Sequence, residues 1–203
     1  MAKSNPIIIF GAVEGDVDEI VLRRLIERKN FCIGGIYGRK GKDFLKQKIG
    51  AYNEAAKHNR WIVLVDLNAS ADCAPNLVSL WIPDRNVQMS LRVVVRAIES
   101  WLLSDKKRMA EYLNISEKHI PINPEILPNP KQTLVNLAKK SRSRQIREDM
   151  IPREGSGRDI GPAYTSRLID FISNHRNGWR PDVAAESSNS LKRCLNAING
   201  MNE

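Results

Sequence analysis

The stretch Ile7-Ile8-Ile9-Phe10-Gly11-Ala12-Val13-Glu14-Gly15-Asp16-Val17-Asp18 decides the fold. Ile7 to Phe10 is a continuous β-favouring run that ends in Gly11, and continuous rather than alternating apolarity marks a strand buried on both faces. This places the first strand in the middle of a sheet. From Asp16 to Lys29, Val17, Ile20, Val21, Leu25 and Ile26 recur at helical spacing, with acids in the first turn and bases in the last. The opening stretch is therefore a strand-to-helix unit.

The same alternation continues outward. Phe31 to Tyr37 reads as a second strand, closed by the turn Gly38-Arg39-Lys40-Gly41-Lys42, and Asp43 to His58 as a helix. Trp61 to Val65 is a third buried strand ending at Asp66-Leu67-Asn68. Pro75 to Trp81 suits a short helix, Leu91 to Val95 a fourth strand, and Ala97 to Tyr112 a further helix. Strands alternating with helices predict an α/β fold with a mostly parallel sheet of about four strands, helices flanking it. Pro121, Pro124, Pro128 and Pro130 then crowd a stretch that excludes regular structure. Residues 1–120 are accordingly expected to form the α/β domain. Residues 121–203 should form a Pro-rich connection and a helical extension, with helices at Lys131 to Lys140, Pro162 to His175 and Ser190 to Ile198.

Composition narrows the function classes. Of 203 residues, 32 are Lys or Arg and 23 are Asp or Glu, a formal net charge of +9 that favours polyanionic partners such as nucleic acid and fits equally a solvated basic surface. The three cysteines, Cys32, Cys73 and Cys194, are too few and too scattered for a disulfide framework or a zinc site, which suits a reducing cytoplasm. His58, His119 and His175 lack metal-ligand spacing. The apolar run from Ile7 to Val13 is too short to span a bilayer and has no cleavage pattern, so no membrane association and no targeting segment are expected. Aromatics make up 6% of the chain, which gives little support for a base-stacking platform.

In a parallel α/β sheet, ligands bind beyond the carboxyl ends of the strands. Glu14 follows the first strand and Asp66 the third, so the fold brings together carboxylates that lie far apart in sequence. Gly15 permits a tight turn and the close approach of a phosphate. Hard cations such as magnesium prefer carboxylate oxygens and retain waters, and two such ions can stabilise both oxygens of an in-line phosphoryl displacement. An acid after a buried strand also serves simply to end it, and Asp16, Asp18 and Glu19 also suit a helix N-terminus. Gly38-Arg39-Lys40-Gly41-Lys42 is a basic turn able to grip phosphate but departs from a P-loop in glycine spacing and in Asp43, so no ATP site or other organic cofactor is expected. Arg92 and Arg96, near the end of the fourth strand, and Arg158, in a basic stretch around Gly155-Ser156-Gly157, are further candidates for phosphate contact.

The chain resembles the Toprim domain shared by topoisomerases, bacterial primases and nucleases of the overcoming-lysogenization-defect family. The likeness rests on the strand Ile7 to Phe10 followed by Glu14-Gly15 and Asp18, and on the strand ending Asp66-Leu67-Asn68. Val13-Glu14-Gly15, Trp61 to Asp66, Arg96 to Asp105 and Gly161-Pro162 further resemble stand-alone bacterial Toprim-like proteins encoded beside AAA-type ATPases. The resemblance implies catalytic roles for Glu14, Asp66 and Glu99. It implies Mg2+ or Mn2+ held by Glu14, Asp18, Asp66 and Asn68; the candidates for phosphate contact, Lys40, Lys42, Arg92, Arg96 and Arg158, rest on their basic placement instead. It points to a metal-dependent nuclease or phosphoryl-transfer effector, in bacterial defence with an ATPase partner, or to a non-catalytic module binding nucleic acid or protein. Asn68 departs from the family's Asp-x-Asp: its carboxamide lacks the charge of a second carboxylate and weakens a second metal site, for which Asp72 is a nearby substitute. Glu99 is alternatively a helix-start charge balanced by Arg96.

Overall fold

The computed structural model describes residues 6–27, 31–67 and 73–202. These residues form an α/β fold whose four strands run parallel in the order β2-β1-β3-β4. β1 (Ile7–Val13) lies between β2 (Phe31–Gly38) and β3 (Arg60–Asp66), and β4 (Met89–Val94) closes the far edge. The inner position expected for the first strand is therefore observed. β3 is buried throughout from Trp61 to Val65, whereas β1 is buried at Ile9 and from Gly11 to Val13; Ile8 is 52% exposed, so the run Ile7 to Phe10 is not covered on both faces as its continuous apolarity suggested. Helices α1 (Asp16–Ile26), α2 (Gly41–Ala55) and α3 (Ala74–Trp81) make the crossovers that parallel strands require.

Two local adjustments were not legible in the run of apolar residues. β1 continues through Gly11 to Val13, because at Gly11 an added Cβ would fall 2.5 Å from Leu22 Cδ2: the bare backbone is what lets α1 close on the strand. In β2 the pairing slips between Ile9 and Phe10, leaving Gly34 as a bulge. A Cβ on Gly34 would stand 2.6 Å from Phe10 Cζ, so the glycine clears space for that ring. Phe10 stacks on Trp61 with ring centroids 5.5 Å apart, and Tyr37 and Tyr52 stack on Trp61 at 5.6 and 5.1 Å. Four rings thus gather in one cluster despite the low aromatic content.

The chain divides into two compact units, residues 1–94 with 193–203 and residues 95–192. The division falls between β4 and the following helix, and the Pro-rich stretch lies within the second unit, with a 3-10 turn just before it, Glu117–His119, and one inside it, Pro124–Ile126. That unit is helical: α4 (Ile98–Leu103), α5 (Lys106–Leu113), α6 (Pro130–Ala138), α7 (Arg144–Met150), α8 (Tyr164–Ser173), α9 (Pro181–Ser187) and the start of α10 (Asn189–Asn199). The single helix expected over Ala97 to Tyr112 is broken at Asp105, which caps α5 by accepting the Arg108 amide and receives the Arg180 guanidinium at 2.7 Å.

Every residue of α4 is buried, and its Trp101 carbonyl accepts Trp179 Nε1 at 3.1 Å. Trp101 Nε1 donates to Ser190 Oγ at 2.7 Å, and that hydroxyl donates onward to Glu125 at 2.6 Å. Gly161 and Gly178 lie against backbone so closely that a Cβ would fall 2.4 Å from the Asp149 carbonyl oxygen and 2.0 Å from that of Phe171. Among the described residues, no helix is long and apolar enough to cross a membrane.

Candidate functional site

Glu14 leaves the carboxyl end of β1, and its Oε1 accepts the backbone N–H of Asp66 at 2.8 Å across to the end of β3. The two acidic positions separated by 52 residues are thus joined at one edge of the sheet. Lys42, in the first turn of α2, reaches the same edge: its Nζ donates to the Asp66 carbonyl at 2.6 Å and to that of Leu67 at 3.3 Å. Burial raises the Glu14 pKa above the ordinary carboxylate range. The Asp66 amide and the Lys42 charge oppose that rise, and the charge of Asp43 adds to it. The site therefore holds a partly desolvated acid, a second acid and a lysine whose charge is directed at backbone carbonyls.

The turn after β2 builds one wall. The Arg39 amide donates to the Val13 carbonyl at 2.9 Å and the Gly41 amide to the Glu14 carbonyl at 3.0 Å, so the turn is fastened to the backbone that carries Glu14. Gly38, Arg39 and Gly41 all have positive φ, at 94°, 62° and 83°. At Gly38 a Cβ would fall 2.3 Å from the Val13 carbonyl oxygen, and only glycine satisfies both demands there. Arg39 is held in turn by Glu19 at 2.8 Å, whose other oxygen takes Arg23 at 2.7 Å. Glu19 is thus a structural acid that clamps the turn to α1. Asp18 is 8% exposed, and its Oδ2 lies 3.2 Å from where a Gly15 Cβ would stand, which turns this acid toward the Glu14-Gly15 corner.

Other expected contacts are dispersed. Lys40 sits with its Nζ 5.2 Å from the Phe44 ring centroid, a cation-π contact on the same turn. Arg92 lies inside β4, two residues before its end. Glu99 belongs to the second unit, where it is 3% exposed and its Oε1 accepts the Tyr164 hydroxyl at 3.1 Å. Burial, with the Glu99 carboxylate beside it, holds that hydroxyl protonated well above the usual phenol range. Arg96 and Arg158 also belong to the second unit. Arg158 is exposed in the loop containing Gly155 and Gly157, at φ 74° and 63°. Part of that basic stretch is the helix α7, capped by Ser143 and anchored by buried Ile146 and Met150. Asn68, Ser70 and Asp72 lie outside the described residues.

Asp43, in sequence only a mismatch to a phosphate-binding loop, is a charge of this site that adds to the rise in the Glu14 pKa. Its place in the first turn of α2, beside Lys42, was the available signal.

Magnesium chemistry can be set against this donor set. Mg2+ keeps several waters and is commonly bound through one or two carboxylates together with substrate phosphates. Glu14 and Asp66 supply hard oxygen donors at adjoining strand ends, and a nearby cation would favour the ionised form that burial of Glu14 disfavours. The residues fit a sparsely ligated, water-rich ion. Among the described residues, no group of three or more His, Cys, Asp or Glu is placed to hold a metal ion. Comparison of the chain with protein-family models, with curated proteins and with solved structures finds no match.

Proposed function

We propose that the carboxyl edge of β1 and β3 is a cation-assisted site for phosphodiester or phosphoryl-transfer chemistry on nucleic acid. The observation that carries this reading is the Glu14-Asp66-Lys42 junction, in which a half-buried carboxylate, a second acid and a lysine from three different elements converge on one strand edge. The likeness of Glu14-Gly15 and the Asp66 strand to the Toprim domain supports the same reading. Glu14 and Asp66 would hold Mg2+ or Mn2+, with Asp18 supporting the corner; the ion, when bound, would supply Lewis-acid stabilisation of phosphate oxygens.

The chain's own residues have further roles in this reading. Burial, which raises the Glu14 pKa, favours a protonated form able to take part in proton transfer in this reading. Lys42, anchored on the Asp66 and Leu67 carbonyls, sets the spacing between α2 and the end of β3. Lys40 on the same turn presents positive charge to a polyanion. Arg96 and Arg158 are proposed as phosphate contacts and Glu99 as a positioning acid within the second unit. A cytoplasmic setting, a role in bacterial defence and an ATPase partner belong to this proposal through the resemblance alone.

One observation favours a second reading, a non-catalytic module that binds nucleic acid or protein. Glu14 Oε1 is already committed to the Asp66 amide and Lys42 to backbone carbonyls, so the junction also works as a purely structural staple. Labelled single-stranded and duplex DNA and RNA, incubated with Mg2+ or Mn2+, separate the two. Catalysis predicts cleavage by the wild type that is lost in a Glu14→Gln, Asp66→Asn double variant. Equal cleavage by both proteins would remove the assignment, while salt-sensitive binding without turnover would select the second reading.

A further inference from the structure

Ser90 and Arg92 alternate along β4 and so project from the same face of the sheet. Ser90 Oγ and Arg92 Nε are both buried, and neither has a hydrogen-bond partner. Buried polar groups in folded proteins are nearly always paired, and an unpaired one costs about 1–3 kcal/mol, more when it carries charge. Two orphaned groups at alternate positions of one strand face therefore need a reason.

Their surroundings supply one. Arg92 forms no ion pair among the described residues. Its charged neighbours are of its own sign: Arg85, before β4, and Arg193, on the part of α10 that belongs to the first unit, both exposed. Burial first, and then these two guanidinium groups, pull the Arg92 pKa below the ordinary arginine value. The remaining neighbour is the Cys194 thiol, which is fully buried and pushed up to about 12, hence neutral at physiological pH. Nothing among these groups offsets the positive charge.

We propose that Ser90 and Arg92, with Arg85 and Arg193 at the rim, form a binding site for a phosphate group. A tetrahedral oxyanion accepts donors from several directions at once. It would take the Arg92 fork and the Ser90 hydroxyl from the strand and charge-assisted hydrogen bonds from the two exposed arginines. The phosphate is either free or carried by a nucleotide or oligonucleotide, since these share the recognised chemistry. The site needs no divalent cation and stands independently of the reading at Glu14 and Asp66.

The test is a titration in chelator at constant ionic strength, followed by calorimetry and thermal melting, with inorganic phosphate, a nucleoside monophosphate and a short 5′-phosphorylated oligonucleotide as separate probes. The wild type is expected to bind at least one probe saturably and to melt higher in its presence than in matched chloride. Arg193→Gln and Arg85→Gln, both at exposed positions, should each weaken that binding by about tenfold, the loss of one charge-assisted hydrogen bond. Arg92→Met should abolish it while melting close to the wild type in chloride, because it removes a half-buried charge that has no partner of opposite sign. Binding of the oligonucleotide alone, with the same arginine dependence, identifies the carried phosphate as the ligand. Absence of binding by all three probes, or binding unchanged in Arg193→Gln and Arg85→Gln, overturns the site.

Discussion

Replacing Gly38 by alanine tests whether the turn after β2 is what holds the Glu14 backbone in place. Two separate costs act at this residue. Its φ of 94° is a region that L-residues enter at about 1–2 kcal/mol. An added Cβ would also stand 2.3 Å from the Val13 carbonyl oxygen, a backbone atom that cannot rotate away. Relief requires the turn to withdraw, which strains the Arg39-to-Val13 and Gly41-to-Glu14 hydrogen bonds, each worth about 1 kcal/mol net.

The sum is about 3–4 kcal/mol, a loss that stands out against ordinary surface substitutions. Gly41→Ala is the internal control. Its φ of 83° carries the same conformational cost, yet nothing lies within 4 Å of the added Cβ, so the expected loss is only about 1–2 kcal/mol. Urea denaturation gives both values, and hydrogen exchange at the Arg39 and Gly41 amides localises the change. Equal destabilisation by the two substitutions would mean that the close approach to Val13 contributes nothing and that the turn is not a support for Glu14.

Glu14→Gln should make the protein more stable at neutral pH. The folded-state pKa of Glu14 is raised, so the stability contributed by its protonated form is fully present below the unfolded value of 4.5 and lost as pH rises through the folded value. The variant keeps an oxygen to accept the Asp66 amide but has no charge to desolvate, so its advantage in melting temperature should grow as pH climbs from 4.5 and then level off. An advantage constant across that window would contradict the burial argument. In the second unit, Trp101→Ala should cost about 3–5 kcal/mol, because the side chain is wholly buried and its Nε1 bonds Ser190. Trp101→Phe, which keeps most of the volume, should cost about 1 kcal/mol for the lost hydrogen bond, again by urea denaturation.

The elements around the site were readable because burial imposes its own pattern. A strand covered on both faces must be apolar at every position, and Trp61 to Val65 declared itself in that way; Ile7 to Phe10 was readable as a β-favouring run although only Ile9 of the four is buried, and with these runs came the strand ends that carry Glu14 and Asp66. Features set by contacts between distant residues were not readable. The Gly34 bulge exists for the Phe10 ring, and nothing in Phe31 to Tyr37 announces it. The break at Asp105 depends on Arg180, which lies 75 residues away. Helix α7 is seven residues long in a stretch rich in charge, where two buried positions, Ile146 and Met150, carry too little periodicity to be seen.

Charge placement is the hardest of these features to foresee, and it sorts residues of one type into different roles. Glu19 and Glu14 flank the same corner, yet Glu19 has two arginines within 2.8 Å and is fixed as a strut, while Glu14 faces a backbone amide and is left with a raised pKa. Among the basic residues, Arg39 is tied to Glu19 and Lys42 to carbonyls, while Arg92 has like-charged neighbours only. A group whose electrostatic demand is met inside the fold stabilises it. One whose demand is unmet raises the energy of the folded chain until something binds there. By that criterion Glu14, whose ionised form burial disfavours, and Arg92, whose charged neighbours share its sign, are the positions of the first unit on which the two proposals rest.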